Sequence, residues 1–292
     1  MFTLPLLATI LRETFSSQQS RRIPEPDLIM DNPAKVEAFR QAGSEHGILS
    51  SVYLFHCAQI SEVIKPGDTV LDLGCGPCNQ LGVIARHNPD VNFIGVDLSD
   101  EMLARAEEHL RKEKLSNVTL RKDDITRLDS LADKSVDAVY STVVLHHLPT
   151  EADLEAAFAQ TSRVLREDGG LYLVDFAHLK SEKSIQYFAY RDQFEQPELF
   201  TLDYLYSLRA AFPLTSFSRD YQRHLKNRGH LYAFKPMPYM VAIKSAPRRN
   251  FDPALTARLR ETQKSLKSKH HADLKNIMML FRLSGLKSPY LS

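Results

Sequence analysis

The sequence predicts an α/β chain built on a doubly wound sheet, and two observations carry that expectation. The first is Val70-Leu71-Asp72-Leu73-Gly74-Cys75-Gly76, an apolar run that ends in a glycine turn. The second is Val91-Asn92-Phe93-Ile94-Gly95-Val96, which Asp97 closes twenty-one residues past Gly76. Two strand-forming runs separated by one helix length describe a βαβ unit, and ligands of such sheets sit at the carboxyl ends of the strands.

The remaining elements follow from punctuation. Asn32-Pro33 supplies a helix cap and a first-turn proline and Gly43 a stop, so 33–42 is expected as one helix and 46–64 as a second. Lys65-Pro66-Gly67-Asp68 makes the turn into the first strand. Ser99 caps a helix with Asp100 and Glu101 in its first turn, favourable against the helix dipole, and this helix continues toward Arg111. Val118–Arg121 is the third strand, and Thr150 with Asp153 frames a capping box for a helix ending near Leu165. Asp168-Gly169-Gly170 then leads to a strand at 171–174. Residues 184–212 read as helical and rich in aromatics. The runs 217–224 and 239–244 are expected to form a final antiparallel hairpin, and 253–283 a helix with apolar spacing.

The glycine turn narrows the ligand. A dinucleotide turn cradles pyrophosphate with three glycines and free backbone N–H groups, whereas here Asn79 stands at the third glycine's place and Pro77 has no N–H. S-adenosylmethionine carries no phosphate and asks only for close backbone approach, with a carboxylate such as Asp97 to accept hydrogen bonds from the ribose hydroxyls.

These residues resemble the class I S-adenosylmethionine-dependent methyltransferases from about Lys65 to Phe176. Residues 70–76 are similar to the family's first motif, Gly95-Val96-Asp97-Leu98-Ser99 to its ribose motif, and Lys122-Asp123-Asp124-Ile125 to the acidic edge that contacts adenine. Ser135-Val136-Asp137-Ala138-Val139 resembles the fourth strand, and 165–174 the approach to the fifth. Cys78 departs from the pattern, since many members place a third glycine there. The resemblance implies a Rossmann-like α/β fold, a doubly wound seven-stranded sheet with an N-terminal helical cover (1–64), an inserted helical lid (181–212) and a basic C-terminal helix (247–292). The core would be 65–180 and 213–246. It also implies a cofactor site of Asp72, Gly74, Cys75, Gly76, Asp97, Leu98, Met102, Asp124, Ile125 and Thr142, with Asp72 orienting the cofactor's amino-acid end. Leu145-His146-His147-Leu148-Pro149 is similar to a stretch in the branch that includes the ubiquinone and menaquinone methyltransferases.

For catalysis the expectation is alignment of an acceptor with the sulfonium methyl, with His146 as the candidate base if the acceptor must lose a proton. His147, Asp175 and His178 at the ends of the fourth and fifth strands, with Tyr187 and Tyr190 of the insertion, are the candidate substrate-pocket residues. Two readings stand for the histidines, base or loop-shaping structural residue, and two for the aromatics, acceptor pocket or core of an added helical layer.

Composition bounds the rest. The chain has 292 residues, 43% hydrophobic, with three cysteines, which points to a reducing, cytoplasmic setting and away from a disulfide framework. Cys75-Gly76-Pro77-Cys78 also spells a redox dithiol, but the chain has no Trp and Asp97 would have no role in such a domain. No metal site is expected, because that pair and a distant Cys57 do not make four ligands. Met1–Leu11 is apolar yet too short to cross a bilayer; it reads as a segment capping the domain, with membrane-surface contact as the alternative. From Lys244 onward eleven Lys/Arg stand against three Asp/Glu, a net of +8 in a chain of net +1, leaving −7 elsewhere. A docked, solvated helix is favoured there over a nucleic-acid grip. An Asn/Asp-Pro-Pro-aromatic motif is absent after the fourth strand, which argues against DNA bases as acceptors. The function expected is methyl transfer to a small-molecule acceptor. A cofactor-binding scaffold without turnover, or transfer to protein or RNA, are the alternatives, and the oligomeric state is open.

Overall fold

The computed structural model describes residues 3–17, 19–27, 30–44 and 46–291. Met1, Phe2 and Ser292, the outermost residues of the expected cover and tail, therefore lie outside the described residues. The sheet has seven strands: β1 (Thr69–Leu73), β2 (Asn92–Asp97), β3 (Val118–Lys122), β4 (Val136–Thr142), β5 (Leu165–Phe176), β6 (His230–Ala233) and β7 (Met240–Lys244). Their order is β3-β2-β1-β4-β5-β7-β6. The first five run parallel, and β7 is antiparallel to both β5 and β6. The strand order reverses between β1 and β4, which opens a crevice beyond their carboxyl ends.

Helices cover both faces. α1 (Leu4–Phe15), α2 (Pro33–Ala42) and α3 (Ser50–Val63) precede the sheet, and α4 (Asn79–His87), α5 (Asp100–Glu113) and α6 (Glu151–Val164) are its crossovers. After β5 come α7 (Glu182–Tyr190), α8 (Glu198–Ala210) and α9 (Leu214–Asp220), and after β7 come α10 (Pro253–Ser265) and α11 (Ser268–Leu283). One apolar cluster joins α3, α4 and α11 to one face of the sheet through residues such as Ile60, Phe93, Tyr172 and Leu274. A second, including Leu71, Val139, Phe158, Leu173 and Phe217, fills the other face. Alternation along each parallel strand sends successive side chains to these two clusters, which is why the strands read as continuous apolar runs.

Local chemistry sets the helix starts. Asn32 Oδ1 accepts the N–H groups of Ala34 and Lys35 at 3.0 and 3.3 Å, with Pro33 in the first turn. Ser99 Oγ accepts the Met102 N–H at 3.0 Å, and Thr150 with Asp153 closes a reciprocal capping box. The start of α7 uses a long-range partner. Glu13, buried on α1, accepts the N–H groups of Lys180 and Ser181 at 2.7 and 3.1 Å, placing a carboxylate at the positive end of the helix dipole.

Three expectations need correction. The segment 217–224 is not a strand. It lies in α9 and a following π-helical turn, Tyr221–Leu225, because Phe217, Tyr221 and Leu225 recur every four residues and bury together against the α6 side of the sheet. The outer strand of the hairpin is instead β6, in the connection after it. β5 begins at Leu165, earlier than 171, and crosses Gly169-Gly170 with a register irregularity opposite Val136 and Ala138. The C-terminal helix is two helices, since Leu266 turns to an extended conformation and drops into the core.

The basic tail is thus a docked structure. His270, Leu274, Met278 and Phe281 form the buried stripe of α11 against α3, with Phe281 stacked on Phe55 at 4.9 Å between ring centroids. α1 buries Leu6, Thr9 and Glu13 and packs against α7, while Leu4, Leu11 and Phe15 remain exposed. No helix among the described residues is long and apolar enough to cross a membrane. Docking of α11 predicts that Leu274→Ala destabilises the chain by about 3 kcal/mol in urea unfolding. Lys275→Ala, on the exposed side, should stay within about 0.5 kcal/mol. Equal, small effects from both would contradict the docked helix.

Candidate active site

The crevice at the carboxyl ends of β1 and β4 is a cavity of about 470 Å³, and the glycine turn forms its floor. The chain leaves β1 through Gly74 at φ +72°, where a Cβ would come 2.3 Å from Val144 Cγ1. The Gly74 and Cys75 N–H groups both donate to the Val96 carbonyl at 2.9 Å, which folds the turn over the end of β2. Gly76, at φ +52°, has open space where its Cβ would be, so a ligand can approach the backbone there. Its N–H donates to Asp97 Oδ2 at 2.8 Å, and the Ser99 N–H donates to Oδ1 at 3.0 Å. One carboxylate therefore holds the turn and the start of α5 together and faces the cavity.

Cys78 takes φ +59° at the start of α4, the left-handed conformation that a glycine adopts more cheaply, so the turn keeps its path with a side chain in place. The thiols of Cys75 and Cys78 are buried and free. A hydrogen bond with Cys78 and burial push the Cys75 thiol up, well above its ordinary value. A redox dithiol needs the opposite shift.

Electrostatics mark this floor as unusual. Asp72 is buried between Gly95 of β2 and Tyr140 of β4. Burial, reinforced by the Asp97 charge and only partly eased by the Tyr140 hydroxyl, raises its carboxyl to about 8. Burial also raises Asp97, against the hydrogen bonds from Ser99 and Gly76. A carboxyl held this high, as Asp72 is, fits a cationic ligand, which a sulfonium with an ammonium group is.

The expected cofactor residues Asp72, Gly74, Cys75, Gly76, Asp97, Leu98, Met102, Asp124, Ile125 and Thr142 all stand on the cavity wall. Beside them stand Asp123, part of the acidic edge read from the sequence, and Gln80, which sequence reasoning missed. Asp123 accepts the N–H groups of Asp124, Asp129 and Ser130 and so shapes the loop after β3, while Gln80 accepts the Thr142 hydroxyl at 3.0 Å. Both line the cavity.

Beyond β4 the chain passes Val143 at φ +58°, a strained position for a β-branched residue, and enters a 3₁₀ turn, Leu145–His147. His146 is buried and lines the cavity. Its Nδ1 lies 2.8 Å from Asp175 Oδ1, and its backbone N–H donates to Asp175 Oδ2 at 3.0 Å. His147 Nδ1 lies 2.6 Å from Glu25 Oε2, and Ser207 donates to Glu25 Oε1 at 2.9 Å. Burial opposes charge on both His147 and Glu25, yet their contact prevails, raising the imidazole to about 9 and holding the carboxyl at about 2. Asp203, close by, is raised to about 6 by burial and by the Glu25 charge.

Glu25 reaches the site from an extended strap before α2, pinned by Arg22. That guanidinium donates to the carbonyls of Ala210, Pro149, His146 and Leu148 and sits 3.8 Å over the Phe212 ring. The far end of the cavity is aromatic: Phe176, Phe188, Phe200, Tyr204 and Tyr239 line it, with Phe188 stacked on Tyr239 at 4.0 Å.

Of the expected substrate-pocket residues, His147 lines the cavity and four do not. Asp175 lies wholly buried beneath His146, because strand alternation sends its neighbour Phe176 to the cavity instead. His178, beyond the end of β5, turns to the strap and bonds to Ser20 Oγ and the Ser20 carbonyl. Tyr187 and Tyr190 are rotated on α7 by one and two positions from Phe188. Tyr187 packs edge-on against Phe188, and Tyr190 is 36% exposed. The sequence reading also named no metal ligands, whereas Glu25, His146 and His147 bring one donor atom each within 4.8 Å of one another.

Comparison with known proteins agrees with this geometry. Residues 70–169 match the family model described as a methyltransferase domain. An arsenite methyltransferase of Halobacterium salinarum is 38% identical over 113 residues, 38% of this chain and 28% of that protein. A sterol 24-C-methyltransferase of Debaryomyces hansenii is 34% identical over 139 residues, 47% of this chain and 33% of that protein. The matched region thus spans about a third of these relatives' length. The fold is shared with a putative S-adenosylmethionine-dependent methyltransferase of Methanococcus maripaludis, at a TM-score of 0.53 and 14% identity over 80% of this chain and all of that one. Residues 70–169 thus match a methyltransferase domain, and the strand order and the turn against Asp97 place that segment in a Rossmann-like fold shared with methyltransferase structures.

Proposed function

We propose that the chain transfers a methyl group from S-adenosylmethionine to a small-molecule acceptor held at the aromatic end of the cavity. The observation that carries the reading is continuity: one cavity runs from Asp97 and the glycine turn, past His146, to Phe176, Phe188 and Tyr239. When bound, the cofactor supplies an electrophilic methyl group on sulfur. The protein's share is to hold the ribose at Asp97, the amino-acid end at Asp72 and adenine along Asp124 and Ile125, and to seat the acceptor in line. Such orientation is worth roughly 7–11 kcal/mol.

His146 is the group proposed to take a proton from the acceptor. Asp175 accepts three N–H groups, from His146 Nδ1, His146 N and Phe176 N, so the histidine's hydrogen sits on Nδ1 and the lone pair on Nε2. Asp175 would then stabilise the imidazolium, acting through His146 as a positioning residue. A flat, largely apolar acceptor with an acidic hydroxyl or carbon, of the kind a reduced quinone ring offers, suits this wall. The relatives named for arsenite and for a sterol carbon support a small acceptor over a macromolecular one. α7 and α8 would serve as its lid, and three free thiols suit a cytoplasmic setting.

Incubation with methyl-labelled cofactor and a small-molecule extract should yield a labelled product of low mass. Label on protein or RNA would redirect the reading, and none at all would favour a scaffold. Asp97→Ala should weaken cofactor binding by more than about tenfold with the fold intact, since a charged hydrogen-bonding group is lost. Unchanged affinity in calorimetry contradicts the ribose role.

Asp72 gives a pH signature. Its folded value of about 8 exceeds the ordinary 3.8, so its contribution to the stability of the ligand-free chain is fully present below pH 4 and is lost as pH rises toward 8. Asp72→Asn should therefore be more stable than wild type at pH 8 and flatten that part of the profile, while binding cofactor less tightly. Identical melting profiles for the two proteins between pH 5 and 8 would overturn the assignment.

A further inference from the structure

Beside His146, the polar middle of the cavity holds a carboxylate and a second histidine, Glu25 and His147, that methyl transfer leaves unexplained. With its hydrogen on Nδ1, His146 presents a bare lone pair at Nε2. That atom is buried, has no hydrogen-bond partner, and faces Glu25 Oε1 at 3.8 Å. A buried lone pair 3.8 Å from a carboxylate oxygen is repulsive unless a cation or a hydrogen lies between them. Glu25's second oxygen meets His147 Nδ1 at 2.6 Å, so two imidazole nitrogens and one carboxylate lie within 4.8 Å of one another, and the hydrogen shared by His147 and Glu25 leaves to solvent when an ion takes its place.

We propose that Glu25, His146 and His147 form a binding site for a divalent transition-metal ion of the zinc class. Nitrogen and oxygen bonds to such an ion are about 2.0–2.2 Å long, which sets tetrahedral donors roughly 3.4 Å apart, so donors up to 4.8 Å apart draw together and the His147–Glu25 contact of 2.6 Å opens when the ion enters. Two histidines and one carboxylate form the donor set of open, three-ligand sites, which leave a position for a non-protein ligand. All three residues line the cavity, so the open position faces the acceptor's end. Outer partners that fix ligand orientation are also present: Asp175 holds the His146 ring, and Ser207 donates to Glu25. The ligand class for the open position is an oxygen or sulfur donor. An ion here occupies the lone pair proposed above to receive the acceptor's proton, so ion binding and proton uptake exclude each other at Nε2.

The test is titration calorimetry of the full chain, stripped with a chelator, against Zn²⁺ without cofactor. One ion per chain is expected. His147→Ala and the near-isosteric Glu25→Gln should each weaken binding by more than about tenfold, and Asp175→Asn by about 10–100-fold through the His146 ring. Circular dichroism of each variant separates loss of ligand from loss of fold. Co²⁺ loading should give visible bands without the charge-transfer band of a thiolate ligand. Failure to bind Zn²⁺, binding undiminished in a folded Glu25→Gln/His147→Ala double variant, or a thiolate band that places the ion at Cys75 and Cys78 would each overturn the site. Because the readout is binding, its failure leaves the methyl-transfer reading intact, and a failed transfer assay leaves the metal site intact.

Discussion

The Asp97 carboxylate is the constraint on which the site depends. One oxygen accepts the Gly76 N–H and the other the Ser99 N–H, so the side chain ties the turn after β1 to the start of α5. Without it the left-handed glycine turn would lose its outer anchor, leaving the paired bonds to the Val96 carbonyl to hold it. The same oxygens retain lone pairs toward the cavity. Structure and the proposed ribose recognition thus draw on one group, and burial raises both that carboxyl and its neighbour Asp72. A cofactor-free protein carries this as a liability, a common cost of a preorganised site.

The end of the cavity beyond β4 is built differently. Its polar groups come from three places far apart in the chain: Glu25 on the strap, His146 and His147 after β4, and Asp175 on β5. Arg22 binds these pieces by donating to four carbonyls, which makes the strap part of the wall. Glu13 does similar work farther out by capping α7, so the position of the helices over the cavity depends on α1. The backbone strain at Val143 sits where β4 delivers its chain into the histidine turn, and neighbouring packing must hold that residue in place.

How much of this was legible follows from the range of the interactions. The cofactor end is written locally, in glycines that end a strand and an acid that ends the next, so Gly74, Gly76 and Asp97 could be expected on the cavity wall from spacing, and Asp72 from the resemblance. The strap could not. Glu25 meets His147 across 122 residues, with no periodicity or motif to announce it. For the insertion, composition gave the aromatics but not their rotation. A helical count from Ile185 puts Phe188 and Ala189 on the buried face and leaves Tyr190 outside, a signal present in the sequence. The misplaced strand at 217–224 has a similar cause, because Phe217, Tyr221 and Leu225 fit a four-residue period that extends beyond the short window in which alternation was read.

The central claim is that a phosphate-free glycine turn and two buried carboxyls accept the sulfonium cofactor. Its most direct measurement is calorimetric titration of the wild-type chain with S-adenosylmethionine at pH 7, in two buffers of different ionisation enthalpy. The account predicts one-to-one binding with net proton release, as Asp72 ionises against the bound cation. Absence of binding, or binding with no proton released, would contradict it.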